Sequence, residues 1–145
     1  MIVKKIMLFF VIFLAVSSFA YAEEKFTVSG VVAFTKEGAI CISLLTKEEW
    51  QKLTILPPPP RTIIITLNQE QKEMRKVAFK FVRIPKGAYG IRVFQDVNNN
   101  GKLDRCRYGF PKEPCGFYRR AGETDWANIT FEVDKDIDGI KVRLY

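Results

Sequence analysis

Apolar residues alternate with polar ones along most of the chain beyond residue 23, which is the period of a β-strand with one buried face. Such runs occupy residues 26–34, 40–44, 62–67, 77–82, 89–96, 129–133 and 140–144. One-sided alternation is typical of antiparallel sheets with one solvated face, and two such sheets pack into a sandwich. The pattern therefore predicts an all-β fold, a single antiparallel β-sandwich of about seven strands.

The segments between these strands carry signals of their own. Residues 36–38 form a short turn, so the first two strands are predicted to pair as a hairpin. Thr46 followed by Glu49 has the spacing of a capping box, which predicts a short helix over residues 46–53. The four prolines at 57–60 predict a stiff connector at a sheet edge, because proline donates no backbone hydrogen bond.

The amino-terminal segment has the composition of an export signal. Lys4 and Lys5 precede an apolar run over residues 6–16, and Ala20 and Ala22 provide the small residues expected before a cleavage point. The apolar run is shorter than the roughly 20 residues that a bilayer-spanning helix needs. We therefore predict a cleaved signal peptide at residues 1–22 and a β-sandwich domain at residues 23–145. The predicted location is periplasmic or secreted, with no membrane span after cleavage.

The composition excludes several classes of enzyme. The chain has no histidine and three cysteines, which rules out a Ser–His–Asp triad, a Cys–His dyad and a four-thiolate zinc site. A carboxylate pair such as Asp104 and Glu113 leaves one remote alternative, a hydrolase of the glycosidase type. Removal of Lys4 and Lys5 with the signal peptide lowers the net charge from +7 to +5, a moderate value that fits ordinary solubility or, as the alternative, attraction to an anionic surface. No nucleic-acid-binding motif accompanies that charge, so nucleic acid is not a predicted partner.

Residues 96–104 match the first nine positions of an EF-hand calcium loop, with glycine at the sixth position, where the chain turns sharply. The oxygen donors in this loop suit a hard cation and not a soft metal. Arg107 stands where an EF-hand has its bidentate glutamate, so the predicted affinity is modest. The alternative is a plain tight turn built from Asn, Asp and Gly. The candidate Ca²⁺ ligands are Asp96, Asn98, Asn100, Lys102 through its backbone carbonyl, Asp104 and, as a further carboxylate, Glu113.

Cys106 and Cys115 bracket a short loop, and an oxidising compartment favours the pairing of such cysteines. We predict a Cys106–Cys115 disulfide, which would stabilise the segment beside the calcium loop by about 2–3 kcal/mol. Cys41 lies within a predicted strand and is expected to be the cysteine left over.

The second half of the chain carries the pattern of a known family. Residues 87–104 read GAYGIRVFQDVNNNGKLD, and residues 109–117 read GFPKEPCGF. This resembles the exported bacterial family called domain of unknown function 2141, in which a G-x-Y-A strand leads into D-x-N-x-N-G-x-L-D and then G-x-P-x-E-x-x-G-F. Gly90 and Gln95 depart from the alanine and histidine usual there. The resemblance implies a fold similar to transthyretin-like and carboxypeptidase-regulatory-like sandwiches, and it adds no catalytic activity.

These features predict a non-enzymatic exported module with a calcium-stabilised loop and a binding or structural role in the cell envelope. The expected partner is an envelope protein or an anionic envelope polymer. The main alternative is a protein that binds a small ligand or an anionic polymer through a basic and aromatic face within residues 112–120. That face would comprise Lys112, Phe117, Tyr118, Arg119 and Arg120.

Overall fold

The computed structural model describes residues 23–53, 58–119 and 125–145, which form two β-sheets packed face to face. The predicted signal peptide at residues 1–22, Pro57 of the proline run and Arg120 lie outside the described residues. The elements are β1 (Lys25–Ala33), β2 (Ala39–Leu45), α1 (Lys47–Gln51), β3 (Thr62–Ile65), α2 (Gln69–Met74), β4 (Lys76–Pro85), β5 (Gly87–Asp96), β6 (Cys115–Phe117), α3 (Trp126–Ile129), β7 (Thr130–Val133) and β8 (Ile137–Arg143).

The two sheets differ in size. The small sheet has the strand order β4-β1-β8. The large sheet has the order β3-β2-β5-β6, and β7 also pairs with β5. The prediction of an all-β sandwich is confirmed, and its strands are mostly antiparallel. The pairing of β1 with β8 is parallel, so the sandwich is not purely antiparallel as predicted.

The predicted hairpin between the first two strands is wrong. β1 pairs with β4 and β8, whereas β2 pairs with β3 and β5, so the turn at residues 36–38 carries the chain from one sheet to the other. The reason is that both strands present an apolar face, and each face is buried by lying opposite the other sheet. A hairpin would have placed the two strands side by side in one sheet.

The hydrophobic core lies between the sheets. Val28 and Val32 of β1 contribute from the small sheet, and Ile42 of β2 with Ile91 and Val93 of β5 from the large sheet, all fully buried. Burying a side chain of this size stabilises the fold by about 1.5–3 kcal/mol relative to leaving it exposed. Strand β5 therefore lies at the centre of the molecule, and the loop that follows it starts from a rigid position.

Helix α1 begins as the sequence predicts. The backbone N–H of Glu49 donates to the Thr46 hydroxyl at 3.3 Å, and the Glu49 carboxylate accepts from the Thr46 N–H at 2.8 Å. Glu49 also pairs with the Arg61 guanidinium at 2.6 Å, which ties the helix to the chain entering β3. The helix places Trp50 against Phe117 of β6, with ring centroids 5.3 Å apart. It thus covers part of the outer face of the large sheet.

The strand order brings the second half of the chain back on itself. After β5 the chain makes a long excursion and returns as β6, which pairs with β5 through Phe94 and Cys115. Residues 96–114 are consequently held at one end of the large sheet, between two paired strands. None of the helices in the three described stretches is long and apolar enough to cross a membrane.

Candidate functional site

The loop after β5 is organised by its first residue. Asp96 is 3% exposed, and its carboxylate accepts hydrogen bonds from the backbone N–H of Asn100 at 3.0 Å and of Gly101 at 2.7 Å. Gly101 has a φ of 76°, a left-handed conformation that glycine adopts without a steric penalty. The sharp turn predicted at Gly101 is confirmed. Asp96 supplies the acceptors that hold that turn closed.

Three of the predicted calcium ligands lie together in this loop. The side-chain amides of Asn98 and Asn100 donate to the Asp104 carboxylate at 2.7 Å and 3.0 Å. The amide oxygen of Asn98 accepts from the N–H of Asn100, and that of Asn100 accepts from the N–H of Lys102. The structure thus groups Asn98, Asn100 and Asp104 on the turn that Asp96 caps.

Glu113 connects the two ends of this loop. Its carboxylate is 7% exposed and accepts from the backbone N–H of Val97 at 2.8 Å and of Asp104 at 3.0 Å. Both oxygens are therefore engaged with backbone donors, which is the environment of a structural carboxylate. In the described stretches, no group of three or more His, Cys, Asp and Glu side chains is placed to hold a metal ion. A calcium site here would need amide and carbonyl oxygens as well as carboxylates.

The predicted Cys106–Cys115 disulfide is absent from the structure, in which Cys41, Cys106 and Cys115 are free thiols. The reason lies in the register of the excursion. The N–H of Cys106 donates to the carbonyl of Phe110 at 2.8 Å, and the N–H of Lys112 donates to the carbonyl of Asp104. Cys106 is therefore paired across a tight turn, while Cys115 begins β6 beside β5.

Two of the residues predicted to share one basic and aromatic face, Phe117 and Tyr118, are separated in the structure. Phe117 packs on the outer face of the large sheet against Trp50, whereas Tyr118 packs against Phe131 with ring centroids 5.2 Å apart. Tyr118 belongs to the periphery of the core. Adjacent residues of a strand point to opposite sides of the sheet, which separates the two rings. Lys112 and Arg119 are exposed.

A cavity that the sequence analysis missed lies on the outer face of the large sheet. Its volume is about 550 Å³, and Arg92 and Phe94 of β5 line it together with Cys41 and Ser43 of β2. Lys102, Leu103 and Arg105 of the following loop form part of its wall, as do Pro58 and Pro59. One signal was present in the sequence: β2 reads Ala-Ile-Cys-Ile-Ser-Leu-Leu, which is apolar on both faces and implies a covered outer face.

Comparison with known protein families gives a match, which covers most of the strands described above. A family model matches residues 26–140, from β1 into β8. The chain belongs to DUF2141. The description of that family is an uncharacterized protein conserved in bacteria. The resemblance drawn from residues 87–117 is thereby confirmed, whereas no curated protein and no solved structure matches the chain. The likeness to transthyretin-like sandwiches stays an expectation.

Two ionisable groups that line the cavity of this DUF2141 member, Cys41 and Arg92, have pKa values shifted by their surroundings. Burial raises the pKa of the Cys41 thiol to about 11, and the nearby charges of Asp96 and Glu113 add to that rise. Burial also lowers the pKa of the Arg92 guanidinium, and the positive charge of Arg105 acts in the same direction. At neutral pH the cavity therefore holds a neutral thiol together with the cations Arg92, Lys102 and Arg105 in its lining.

Two side chains that line the cavity, Cys41 and Ser43, carry groups that could act as nucleophiles, and neither is activated in this arrangement. The Cys41 thiol keeps its proton at neutral pH, and the thiolate is the reactive form of cysteine. The Ser43 hydroxyl exchanges a hydrogen bond with the Thr62 hydroxyl at 2.9 Å, and the Thr62 hydroxyl donates to the Pro59 carbonyl. No general base takes part in that chain of hydrogen bonds.

Proposed function

We propose that this DUF2141 member is a non-enzymatic module exported to the cell envelope, where its loop at residues 96–104 binds calcium. The observation that supports the calcium site most directly is the grouping of Asn98, Asn100 and Asp104 around the turn capped by Asp96. Rotation of the two side-chain amides would aim their oxygens at the space that their nitrogens now fill. Those oxygens, two carboxylates and the Lys102 carbonyl make an all-oxygen donor set that suits Ca²⁺.

Charge limits the affinity of this site. Two aspartates supply the formal negative charge, whereas Lys102 lies within the loop and Arg105 and Arg107 follow it directly. We expect a dissociation constant of roughly 10⁻⁴–10⁻³ M, the range of extracellular calcium modules. Calcium at about ten times its dissociation constant would then stabilise the fold by about 1.4 kcal/mol, because it binds the folded loop and not the unfolded chain.

The test is thermal unfolding of the purified protein in chelator and in excess calcium. We expect a higher melting temperature with calcium, and a smaller shift with magnesium because its octahedral shell tolerates this loop poorly. Asp104→Asn should remove the calcium shift, since it keeps the side-chain shape and removes a charged ligand. Asp138→Asn, which alters an exposed aspartate of β8, is the matched control and should keep the shift. Equal melting temperatures of the wild type in chelator and calcium would mean that the loop is only a turn.

The export part of the proposal rests on the pattern of residues 1–22. Amino-terminal sequencing of the protein recovered from outside the cytoplasm should begin at Glu23. Recovery of a chain that starts at Met1 in the membrane fraction would contradict it.

The non-enzymatic part is supported by the use that the chain makes of its polar groups. Glu113, one member of the carboxylate pair suggested for a hydrolase, is buried and accepts two backbone N–H groups. A general acid in that reaction must be free to exchange a proton with substrate. The same two hydrogen bonds instead give Glu113 a role in holding the loop.

A second candidate function is binding of an anionic envelope polymer through the tip of the excursion. Tyr108 and Phe110 are 84% and 71% exposed, and the basic residues Arg107 and Lys112 flank them. Exposed aromatic rings beside cations favour an anionic polymer with apolar segments. Retention on dextran sulfate but not on neutral dextran would support this candidate. Replacement of Tyr108 by Ser should weaken retention, whereas Tyr145→Ser, which alters another exposed tyrosine, should not.

A further inference from the structure

The outer face of the large sheet contains a cavity whose volume is about 550 Å³, within the range of about 300–1,000 Å³ typical of small-molecule sites. Cross-strand pairing places Cys41 beside Phe94 and Ser43 beside Arg92, so these four side chains form adjacent rows of its floor. Ile64 of β3 and Leu53 extend the apolar part of the lining. The cavity therefore combines apolar lining residues with Arg92 on its floor and Lys102 and Arg105 in its wall.

Arg92 occupies this floor without a counter-ion. Among residues 23–53, 58–119 and 125–145, no carboxylate forms a salt bridge with it, and its buried Nε–H reaches no acceptor. Its guanidinium lies 5.6 Å from the centre of the Phe94 ring, a contact that orients the group without neutralising it. Arg92 is half-buried, so its charge loses part of its hydration without an ion pair in compensation. A cation in that position on a cavity floor is better suited to an external ligand than to stability.

The neighbouring groups increase the need for an anion. Arg105 lines the same cavity and lies close enough for its charge to disfavour a second cation at Arg92, and Lys102 lines the cavity too. Cys41 does not compensate these charges, because its thiol is protonated at neutral pH. Arg105 also donates from Nη1 to the Gly109 carbonyl at 2.9 Å, which leaves its other donors for a ligand. Planar guanidinium donors match the geometry of a carboxylate.

We propose that this cavity binds a small organic anion, whose carboxylate pairs with Arg92 and Arg105 and whose apolar body lies against Phe94, Ile64 and Leu53. The anion supplies the counter-ion that Arg92 lacks among the described residues, and it offsets the neighbouring positive charges of Arg92 and Arg105. The apolar lining gives the ligand an advantage over inorganic anions, because each buried methylene adds about 0.8 kcal/mol of transfer free energy.

This site goes beyond the calcium proposal and does not require it. Arg92 and Phe94 belong to β5 and keep their positions through strand pairing. The wall formed by Lys102, Leu103 and Arg105 belongs to the loop that would be ordered by calcium. Titrations in chelator and in calcium therefore separate the two proposals: binding of the anion in chelator stands whatever calcium does.

The experiment is calorimetric titration of the full purified chain in chelator with three probes: sodium octanoate, octanol and inorganic phosphate. We expect octanoate to bind more tightly than octanol, which lacks the charge, and than phosphate, which lacks the apolar chain. Arg92→Gln should weaken octanoate binding by about tenfold to a hundredfold, the loss expected for charge-assisted hydrogen bonds. Octanol binding should be nearly unchanged in that variant. Arg143→Gln, which alters an exposed arginine of β8, should leave octanoate binding unchanged.

The melting temperature of the ligand-free variants provides an independent readout. Arg92→Gln should melt no lower than the wild type, because it removes a half-buried cation that has no salt bridge among the described residues. A purely structural arginine would give the opposite result, with lower melting and unaltered octanoate binding. If Arg92→Gln does not fold, Arg105→Gln and Ile64→Glu serve instead, since both residues are exposed. Each should weaken octanoate binding severalfold, the first by removing a cation and the second by repelling the carboxylate.

Three results would overturn the proposal. The first is the absence of octanoate binding to the wild type. The second is equal affinity for octanoate and octanol, or for octanoate and phosphate, which would remove the charged or the apolar half of the site. The third is equal loss of binding in Arg143→Gln and Arg92→Gln, which would indicate adsorption to surface charge.

Discussion

The small and the large sheet of this DUF2141 member use the same strand geometry with different outer faces. In β4 of the small sheet, buried residues alternate with exposed ones, and Ala78, Lys80 and Val82 lie in solvent. In β2 and most of β5 of the large sheet, residues on both faces are buried or nearly so. The difference shows that an outer face stays buried only where other segments cover it.

The cover of the large sheet comes from several segments. Helix α1 places Trp50 against Phe117 of β6 and Trp126 of α3. The loop after β5 and the residues around Pro58 enclose the other part of the face. These segments do not pack against one another completely, and the cavity is the space that remains between them. The site candidates, the calcium loop and the anion cavity, are both on this covered side.

The largest expected effect tests whether the outer face of the large sheet is a true second core. Phe94 of that face is 4% exposed, whereas Val82 on the outer face of the small sheet is 58% exposed. Phe94→Ala should lower the free energy of unfolding by about 3–5 kcal/mol, the usual cost of truncating a buried phenylalanine. Val82→Ala should change it by less than about 0.5 kcal/mol, as is usual for surface positions. The measurement is urea denaturation of the wild type and both variants, and it requires that the three proteins have equal m-values.

A loss of less than about 1 kcal/mol for Phe94→Ala would contradict the comparison. It would mean that the covering segments collapse onto the sheet at little cost, and that the burial of Phe94 contributes little to folding. Addition of octanoate to this variant would sharpen the result, because the lost ring forms part of the proposed anion site.

The next largest effect uses the pKa of the Cys41 thiol to measure how far water is excluded from the outer face of the large sheet. The ordinary pKa of the thiol, near 9.0, applies to the unfolded chain, and burial raises it to about 11 in the fold. Below pH 9 the thiol is neutral in both states, so the folded state loses nothing there. Between pH 9 and 11 the unfolded chain releases the proton and the folded chain keeps it. Stability should therefore fall, by about 2 kcal/mol at pH 11.

The control for this pH dependence is Cys41→Ala, which keeps every other titrating group. The difference in unfolding free energy between wild type and variant should change with pH only above about pH 9. Slow alkylation of Cys41 by iodoacetamide at pH 8, in comparison with Cys106, would provide a second measure. A pH-independent difference would mean that water reaches the thiol through the cavity.

The alternation of apolar and polar residues correctly predicts the solvated outer face of the small sheet, but it does not predict the covered outer face of the large sheet. The alternation in residues 77–82 correctly predicts one solvated face, because solvent contacts that face directly. In β2 the apolar residues Cys41 and Leu45 share a face with Ser43, and the alternation with Ile40 and Ile42 led to the same one-sided interpretation. The covering segments come from distant parts of the chain, so local pattern could not identify them.

In the candidate site too, the features that depend on neighbouring residues are predicted from the sequence, and those that depend on long-range pairing are not. The turn at Gly101 is determined within nine residues, so the sequence predicts it correctly, whereas calcium binding by the side chains around it stays a prediction. The missing disulfide and the split of Phe117 from Tyr118 depend on the register of β6 against β5, which is a long-range property. The sequence does not single out Arg92, because a single cation in a strand is normally solvated and only tertiary packing removes part of its solvent.

The smallest effect concerns the cap of the helix that covers the large sheet. Thr46→Ala removes the hydroxyl that accepts the Glu49 N–H, and it should lower stability by about 1 kcal/mol. Thr35→Ala, at an exposed threonine after β1, should change stability by less than about 0.5 kcal/mol. Loosening of α1 would also expose Trp50, so acrylamide should quench the fluorescence of the Thr46 variant more strongly. If stability and quenching both stay at wild-type values, then the contact of Trp50 with Phe117 and the Glu49–Arg61 ion pair hold the helix without its cap. In that case the cover of the large sheet depends on side-chain packing, and the difference between the sheets arises from tertiary contacts alone.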